Sequence, residues 1–248
     1  MSTKYSLCIT CFNVSKTIQD SLNSLVTQIG DDYEVVVVDN FSKDGTFEIL
    51  QKYKDDPRIK LLQRRCNRGL GRQTAFEHSS GDYVISNLDM DDIFLPTLPQ
   101  FVQFYHLKCD GKVLLANAGV GVTTQNVTMS PRDLLKDLGG WRDLQWSEDW
   151  DLWCRAAKAS RYAWTVFKLV DVGNQHLDRR AATKKMRVRY SLYRDMLRVG
   201  RRPFSKGEHV NLSQRLAYFF ALLSARLSLS YEDNFKNFDP YDPHFYIK

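Results

Sequence analysis

The chain predicts an α/β fold in which a mostly parallel sheet is flanked by helices and followed by a basic helical C-terminal extension. Three observations carry this. Strand-like and helix-like periodicities alternate from Tyr5 to Leu88, the pattern that builds parallel sheets with right-handed crossovers. Tyr33-Glu-Val-Val-Val-Val-Asp39 is an almost unbroken β-branched run, as a central strand buried on both faces requires. After Asp178 the strands give way to amphipathic helical patterns crowded with Lys and Arg.

Taken in order, Tyr5 to Thr10 is a first strand, followed by Asn13 and a helix whose Ile18, Leu22, Leu25, Val26 and Ile29 recur at helical spacing. The valine-rich strand ends in Asp39-Asn-Phe-Ser-Lys-Asp-Gly-Thr46, a turn that opens a second helix with Phe47, Leu50 and Tyr53 inward. Ile59 to Gln63 makes a short third strand. Asn67-Arg-Gly-Leu-Gly-Arg-Gln73 is a glycine-bearing loop leading into a helix through His78, and a fourth strand follows Gly81, built on Tyr83, Val84, Ile85 and Leu88.

The fourth strand delivers Asp89, Asp91 and Asp92 to its carboxyl end, the edge where open α/β sheets bind ligands. Three negative charges within four residues repel one another unless a cation neutralises them. Carboxylate oxygens suit hard ions, so a divalent metal, Mg²⁺ or Mn²⁺, is implied. A plainer reading is an acidic turn that caps a helix beginning near Pro96.

At 248 residues and 43% hydrophobic content, the chain fits one sizeable domain with an appendage. Met1-Ser-Thr-Lys4 runs directly into a strand pattern, so no signal peptide is expected. The longest apolar run, Leu216 to Ala225, is too short to cross a membrane. Five cysteines without a secretory leader favour a cytoplasmic protein. Cys8 and Cys11 have redox-motif spacing, but they lie on a strand instead of opening a helix, which argues against redox or zinc chemistry. No G-x-G-x-x-G follows the first strand and no G-x-x-x-x-G-K-[ST] occurs, so a dehydrogenase or P-loop enzyme is not expected.

Five segments together resemble one family. They are Ile9-Thr-Cys-Phe-Asn13; Val37-Val-Asp39 with Ser42-Lys-Asp-Gly-Thr46; Asn67-Arg-Gly69 with Arg72; Gly81-Asp-Tyr83 leading to Leu88-Asp-Met-Asp-Asp92; and Gly139-Gly-Trp141 followed by Glu148-Asp149-Trp-Asp151. The chain resembles glycosyltransferase family 2, the inverting nucleotide-diphospho-sugar transferases with the GT-A type of Rossmann-like sheet. The resemblance implies a nucleotide-sugar-binding half over 1–115 and an acceptor-binding half over 116–177, with the extension at 178–248. It implies that Thr10, Asn13 and Asp39 contact the nucleoside, that Arg72 faces the ribose or diphosphate, and that Asp89 and Asp91 hold the metal, Asp89 also reaching the ribose. His176 falls where some relatives complete the metal site. Trp141, Glu148 and Trp150 fall to the acceptor side, and Asp149 matches the catalytic base.

The chemistry agrees with that allocation. Inversion requires an acceptor hydroxyl to lose its proton as it attacks opposite the leaving nucleoside diphosphate, and a metal takes the place of a general acid. One carboxylate suffices, unlike the pair that glycoside hydrolysis needs. Acidic first turns also simply favour helix starts, so capping by Ser147, Glu148 and Asp149 is the plain alternative. Met90 and Asn87 depart from the usual pattern around the acidic cluster and bear on sugar selectivity. A nucleotidyltransferase would share the sheet but needs a glycine-rich loop where this chain has Cys11-Phe-Asn-Val-Ser-Lys16. A non-catalytic nucleotide-binding module is the other alternative.

From Arg179 to Lys206 basic residues far outnumber the one acidic residue, Asp195, before Glu208. Tyr190, Tyr193 and Leu197 share one helical face there, and Leu212, Leu216, Phe219, Phe220, Leu223 and Leu227 share another in the next helix. Three readings compete for residues 179–227: a peripheral contact with the cytoplasmic face of an anionic membrane, which suits a lipid-linked acceptor; nucleic-acid binding, against which the lack of a reader motif argues; and a helical cap with a solvated basic face. The tail from Tyr231 is expected to wrap irregularly or to meet a partner subunit.

Overall fold

The computed structural model describes residues 4–117, 126–171, 186–201, 203–204, 210–227 and 238–248. The first half realises the expected alternation: β1 (Tyr5–Cys11), α1 (Ile18–Val26), β2 (Tyr33–Asp39), α2 (Thr46–Leu50), β3 (Ile59–Gln63), α3 (Arg68–Glu77) and β4 (Tyr83–Ser86). β1 pairs in parallel with β2 and β4, and β2 with β3, so four carboxyl ends share one edge. The helix expected near Pro96 starts two residues on, at Leu98. β5 (Ile93–Phe94) intervenes before α4 (Leu98–Lys108), so the acidic cluster does not cap it.

The second half adds β6 (Val113–Asn117), β7 (Val127–Pro131), α5 (Arg132–Asp137), α6 (Glu148–Lys158), β8 (Tyr162–Val166) and β9 (Val170–Asp171). The seven-stranded sheet runs β3-β2-β1-β4-β7-β6-β8, while β5 and β9 form a separate ribbon. β7 is antiparallel to both β4 and β6, and β8 is parallel to β6. Two reversals restore direction, so β6 ends at the same edge as β4.

Alternation along the central strands explains why they are apolar on both faces. Leu7 and Ile9 of β1 with Val35 and Val37 of β2 pack toward α1 and α4, whereas Cys8, Val36, Val38 and Val84 pack toward Ala75 and Phe76 of α3 and Leu152 of α6. Each fully buried valine contributes about 2 kcal/mol. Cys8 and Cys11, three residues apart on a strand, therefore fall into different core clusters. Burial pushes the Cys8 thiol up to about 12, which leaves it an inert core residue.

Two helices follow, α7 (Met186–Arg198) and α8 (Leu212–Leu227). No helix among the described residues is long and apolar enough to cross a membrane. Residues 238–248 run along the outer strand β8 instead of wrapping loosely. The Ile247 amide donates to the Trp164 carbonyl at 2.9 Å, Trp164 Nε1 to the Asp242 carbonyl at 2.8 Å, and the Tyr162 hydroxyl to the Pro240 carbonyl at 2.9 Å. That segment covers an edge that would otherwise present unpaired backbone groups.

Candidate active site

The acidic turn is built by alternating burial. Leu88 and Met90 are buried in the core, Asp89 and Asp91, the residue after each, remain partly exposed, and Asp92 is buried. The Thr17 hydroxyl donates to the Met90 carbonyl at 2.7 Å and Ser21 Oγ to Met90 Sδ at 3.7 Å, so α1 holds the turn by its middle residue. Met90 thus anchors the turn, and it also lines the cleft beside Asp89 and Asp91. One carboxylate oxygen from each of Asp89, Asp91 and Asp92 lies within 4.8 Å of the others. An all-oxygen set of this span fits a hard divalent cation. Asn87 precedes the turn with a left-handed φ of 61°. Its buried amide has no hydrogen-bond partner among the described residues on either atom, a rare condition in native proteins.

Beside the turn lies a cleft of about 290 Å³ lined by Thr10, Phe12, Asn40, Asn67, Arg68, Arg72, Asp89, Asp91 and Gln145 among others. Two glycines of α3 let it form. A Cβ on Gly71 would lie 2.2 Å from Thr10 Oγ1, and one on Gly69 would lie 2.0 Å from the Arg142 carbonyl oxygen. Only bare backbone lets α3 sit this close to β1 on one side and to the 140s loop on the other. Asn67 caps α3, accepting from the Leu70 amide at 3.0 Å, and its amide also donates to Asp143.

The structure brings Thr10, Arg72, Asp89 and Asp91 to the cleft but not Asp39 or Asn13. Asp39 is fully buried. It accepts from the Ser42 amide at 3.0 Å, from the Ser42 hydroxyl and from Gln63 Nε2 at 3.1 Å, bonds that fix the turn after β2. Asn13 adopts φ 53° and ties two loops together, its Oδ1 accepting from the Lys43 amide at 2.9 Å while its own amide donates to Ser42 Oγ at 2.8 Å. Phe12, about half exposed, instead lines the cleft. Sequence reasoning passed over Phe12, Asn40, Asn67, Arg68 and Gln145. A large apolar residue one position past a strand end and the cap spacing of Asn67 were the available signals.

The first turn of α6 separates its three acids by environment. Asp151 has no exposed surface and pairs with Arg142 at 3.0 Å and Arg155 at 2.7 Å; Arg155 in turn donates to the Gly140 carbonyl at 2.7 Å, holding the glycine loop. Glu148 is buried and bound to Arg72. Asp149 alone keeps 19% of its side chain exposed, while its Oδ1 receives Arg72 at 3.0 Å and Trp141 Nε1 at 3.3 Å. Burial raises the Asp149 carboxyl, and the charges of Glu148 and Asp89 add to that effect against the opposing Arg72 and Trp141, leaving it at about 7. Ser147 makes no side-chain capping bond and sits at φ 62°, so capping does not account for this turn.

Arg72 is therefore engaged by two carboxylates through one guanidinium nitrogen while it also lines the cleft. Trp141 and Trp150 are buried, the latter donating to the Phe238 carbonyl at 3.3 Å, so neither these rings nor Glu148 offers an open surface to an acceptor. Partly exposed Trp146 does, with Arg68 stacked 4.8 Å from its ring centroid. His176 lies outside the described residues. Replacing Arg72 by Ala leaves two carboxylates facing each other without a cation, at an expected cost of about 3–5 kcal/mol. Thermal denaturation near neutral pH reads this directly, and Arg72→Lys should recover part of the loss.

A family model described as glycosyl transferase family 2 matches residues 6–147, more than half of the chain. The poly(ribitol-phosphate) beta-N-acetylglucosaminyltransferase TarS of Staphylococcus aureus is 35% identical over 94 residues, 36% of this chain and 16% of that protein. The poly-beta-1,6-N-acetyl-D-glucosamine synthase of Staphylococcus epidermidis is 27% identical over 99 residues, 39% of this chain and 24% of that protein. The chain thus matches less than a quarter of either relative's length. In fold it is similar to S. aureus TarS 1-349 in complex with UDP-GlcNAc, with TM-score 0.58 and 21% identity over 93% of this chain and 74% of that one. The mannosyltransferase PcManGT from Pyrobaculum calidifontis, in complex with GDP-Man and Mn²⁺, gives TM-score 0.59 and 17% identity over 93% and 77%. The fold is thus the GT-A one, a mostly parallel Rossmann-like sheet flanked by helices, and by the family match over residues 6–147 the chain belongs to glycosyltransferase family 2.

Proposed function

We propose that this protein is a metal-dependent inverting glycosyltransferase that moves a sugar from a nucleoside-diphosphate donor to a hydroxyl of a glycan or lipid-linked acceptor. The observation that carries the reading is Asp149: of three acids in one helical turn it alone stays partly exposed, across Arg72 from the cleft that Asp89 and Asp91 line. Asp149 is the base. It takes the acceptor hydroxyl proton as the oxygen attacks the anomeric carbon, and the raised carboxyl is matched to that task because a base titrating near the working pH transfers protons best. Arg72 and Trp141 hold its orientation. Asp89 and Asp91 would hold Mn²⁺ or Mg²⁺, which when bound supplies positive charge to the departing diphosphate. Thr10, Asn40, Asn67 and Arg68 receive the donor in the cleft, with Asp39 and Asn13 shaping the nucleoside side of it through the turns they tie. The UDP-sugar and GDP-sugar named with two fold relatives support a diphosphate donor.

The test is a thermal-shift series with uridine, guanosine and thymidine diphosphates and their sugars, with and without Mn²⁺. A ligand at a hundred times its Kd stabilises by about 2.7 kcal/mol, roughly 5–10 °C in a protein of this size. A rise of that order in one nucleoside series that requires the metal is the expected result. A flat response across all series overturns the donor reading.

A further inference from the structure

We infer that the outward face of α8 seats the protein on an anionic lipid bilayer. The helix is packed inside out. Its small residues Ala217 and Ala221 are buried against Tyr193 and Met196 of α7, while Leu212, Leu216, Phe219, Phe220 and Leu223 point away with 43–73% of their surface exposed. Those five positions recur at i, i+4, i+7, i+8 and i+11, a single stripe along the helix. A helix serving only as a cap would bury its largest apolar groups and leave its alanines outside. This one leaves a contiguous row of Leu and Phe in water, and such a row marks an interaction surface.

Charge identifies the occupant. Between Arg179 and Arg226 the acidic residues are Asp195 and Glu208 alone, and Asp195 is buried and paired with Arg194 at 2.8 Å. Arg215 falls on the flank of the apolar stripe by helical spacing. An apolar stripe flanked by an arginine, in a segment with so few acids, matches the interfacial region of a bilayer, where acyl chains receive the Leu and Phe side chains and lipid phosphates receive the guanidinium group. A second copy of this chain would bring like charge against like charge, and a nucleic acid would leave the Phe and Leu stripe exposed.

The seat is coupled to the cleft through α7. Asp195 accepts from the Gln145 and Trp146 amides at 2.9 and 3.2 Å, and Arg198 donates to the Asp143 carbonyl at 3.1 Å. The loop these bonds hold leads directly into the turn that carries Asp149. A bilayer under α8 therefore fixes the orientation of the acceptor side of the cleft relative to the lipid surface.

The test is co-sedimentation of the full chain with vesicles of phosphatidylcholine alone and of phosphatidylcholine with 30% phosphatidylglycerol, alongside Phe219→Ser/Phe220→Ser. Both substitutions lie on exposed surface, so the variant should melt like the parent and keep the same donor-induced thermal shift. The expected result is binding to the anionic vesicles, weakened at least tenfold without phosphatidylglycerol or at high salt, and weakened at least tenfold in the variant. A parent protein that stays in the supernatant with both vesicle types overturns the inference. So does a variant that pellets like the parent, or apolar contact that proves instead to drive self-association, read as a concentration-dependent dimer in light scattering that the variant abolishes without any vesicle binding.

Discussion

Asp149→Asn is expected to lower turnover by roughly 10²–10⁴-fold, the usual contribution of a positioned general base, while leaving the fold and donor affinity intact. The amide is isosteric and its oxygen can still accept from Trp141 Nε1, the 3.3 Å bond that holds the carboxylate now. Glu148 keeps its pairing with Arg72. What disappears is the ability to accept a proton, so the loss should fall on kcat, with the thermal shift produced by a nucleoside diphosphate unchanged. A variant that turns over within a factor of about three of the parent would remove Asp149 from the mechanism, whatever its surroundings.

The same residue makes two pH-dependent quantities move in a coordinated way. A base must be ionised to work, so with a carboxyl raised to about 7 the parent's activity should fall as pH drops below neutrality. For stability the sign is opposite. The folded value lies above the roughly 3.9 of an unfolded aspartic acid, so the protonated form stabilises the fold fully below about pH 4, and that contribution is lost as pH rises toward 7. Asn at 149 does not titrate. The melting temperature of the variant should therefore gain on the parent's as pH rises through that window and run parallel to it above. Burial dominates the shift and the negative charges of Glu148 and Asp89 add to it, so a cation bound at Asp89 should narrow the difference.

How far the sequence could be read depended on whether a feature was local. The strands of the first half follow from periodicity, because side chains on a strand alternate faces and the β-branched run of β2 had to be buried on both. The acidic turn was legible for a similar reason: four residues at a strand end contain their own geometry. Partnership over distance was not legible. Arg72 reads as a surface cation in its own helix, yet its carboxylate partner lies 76 residues away. Asp39 sits in a motif whose form survives while its oxygens are consumed by Ser42 and Gln63, contacts made by a local turn and a neighbouring strand. Four tryptophans crowded between 141 and 153 said nothing about which ring would pack inward, because aromatic residues serve core and surface equally well. The same limit applied to α8. The heptad-like spacing of Leu and Phe was plain, but only the docking of Ala217 and Ala221 onto α7 decides which side faces out.

Asp91→Asn is expected to abolish the response to metal and to cut turnover at least a hundredfold. Asp89, Asp91 and Asp92 gather their oxygens within 4.8 Å, and Asp92 is buried while the other two are partly exposed toward the cleft. Removing one of the two accessible charges would take away a ligand of the proposed cation. Loss of a residue that merely orients a metal ligand already costs 10–100-fold, which sets the lower bound. The parent stripped with a chelator should match the variant's residual rate, and adding Mn²⁺ back should restore the parent and not the variant. A second readout separates this from simple unfolding. In the metal-free protein the three carboxylates repel one another, so neutralising one relieves that repulsion and the metal-free variant should melt at or above the temperature of the metal-free parent. Loss of activity together with a lower melting temperature would instead mean that Asp91 supports the turn structurally. Only the pairing of higher or equal stability with a lost Mn²⁺ response assigns it to the cation.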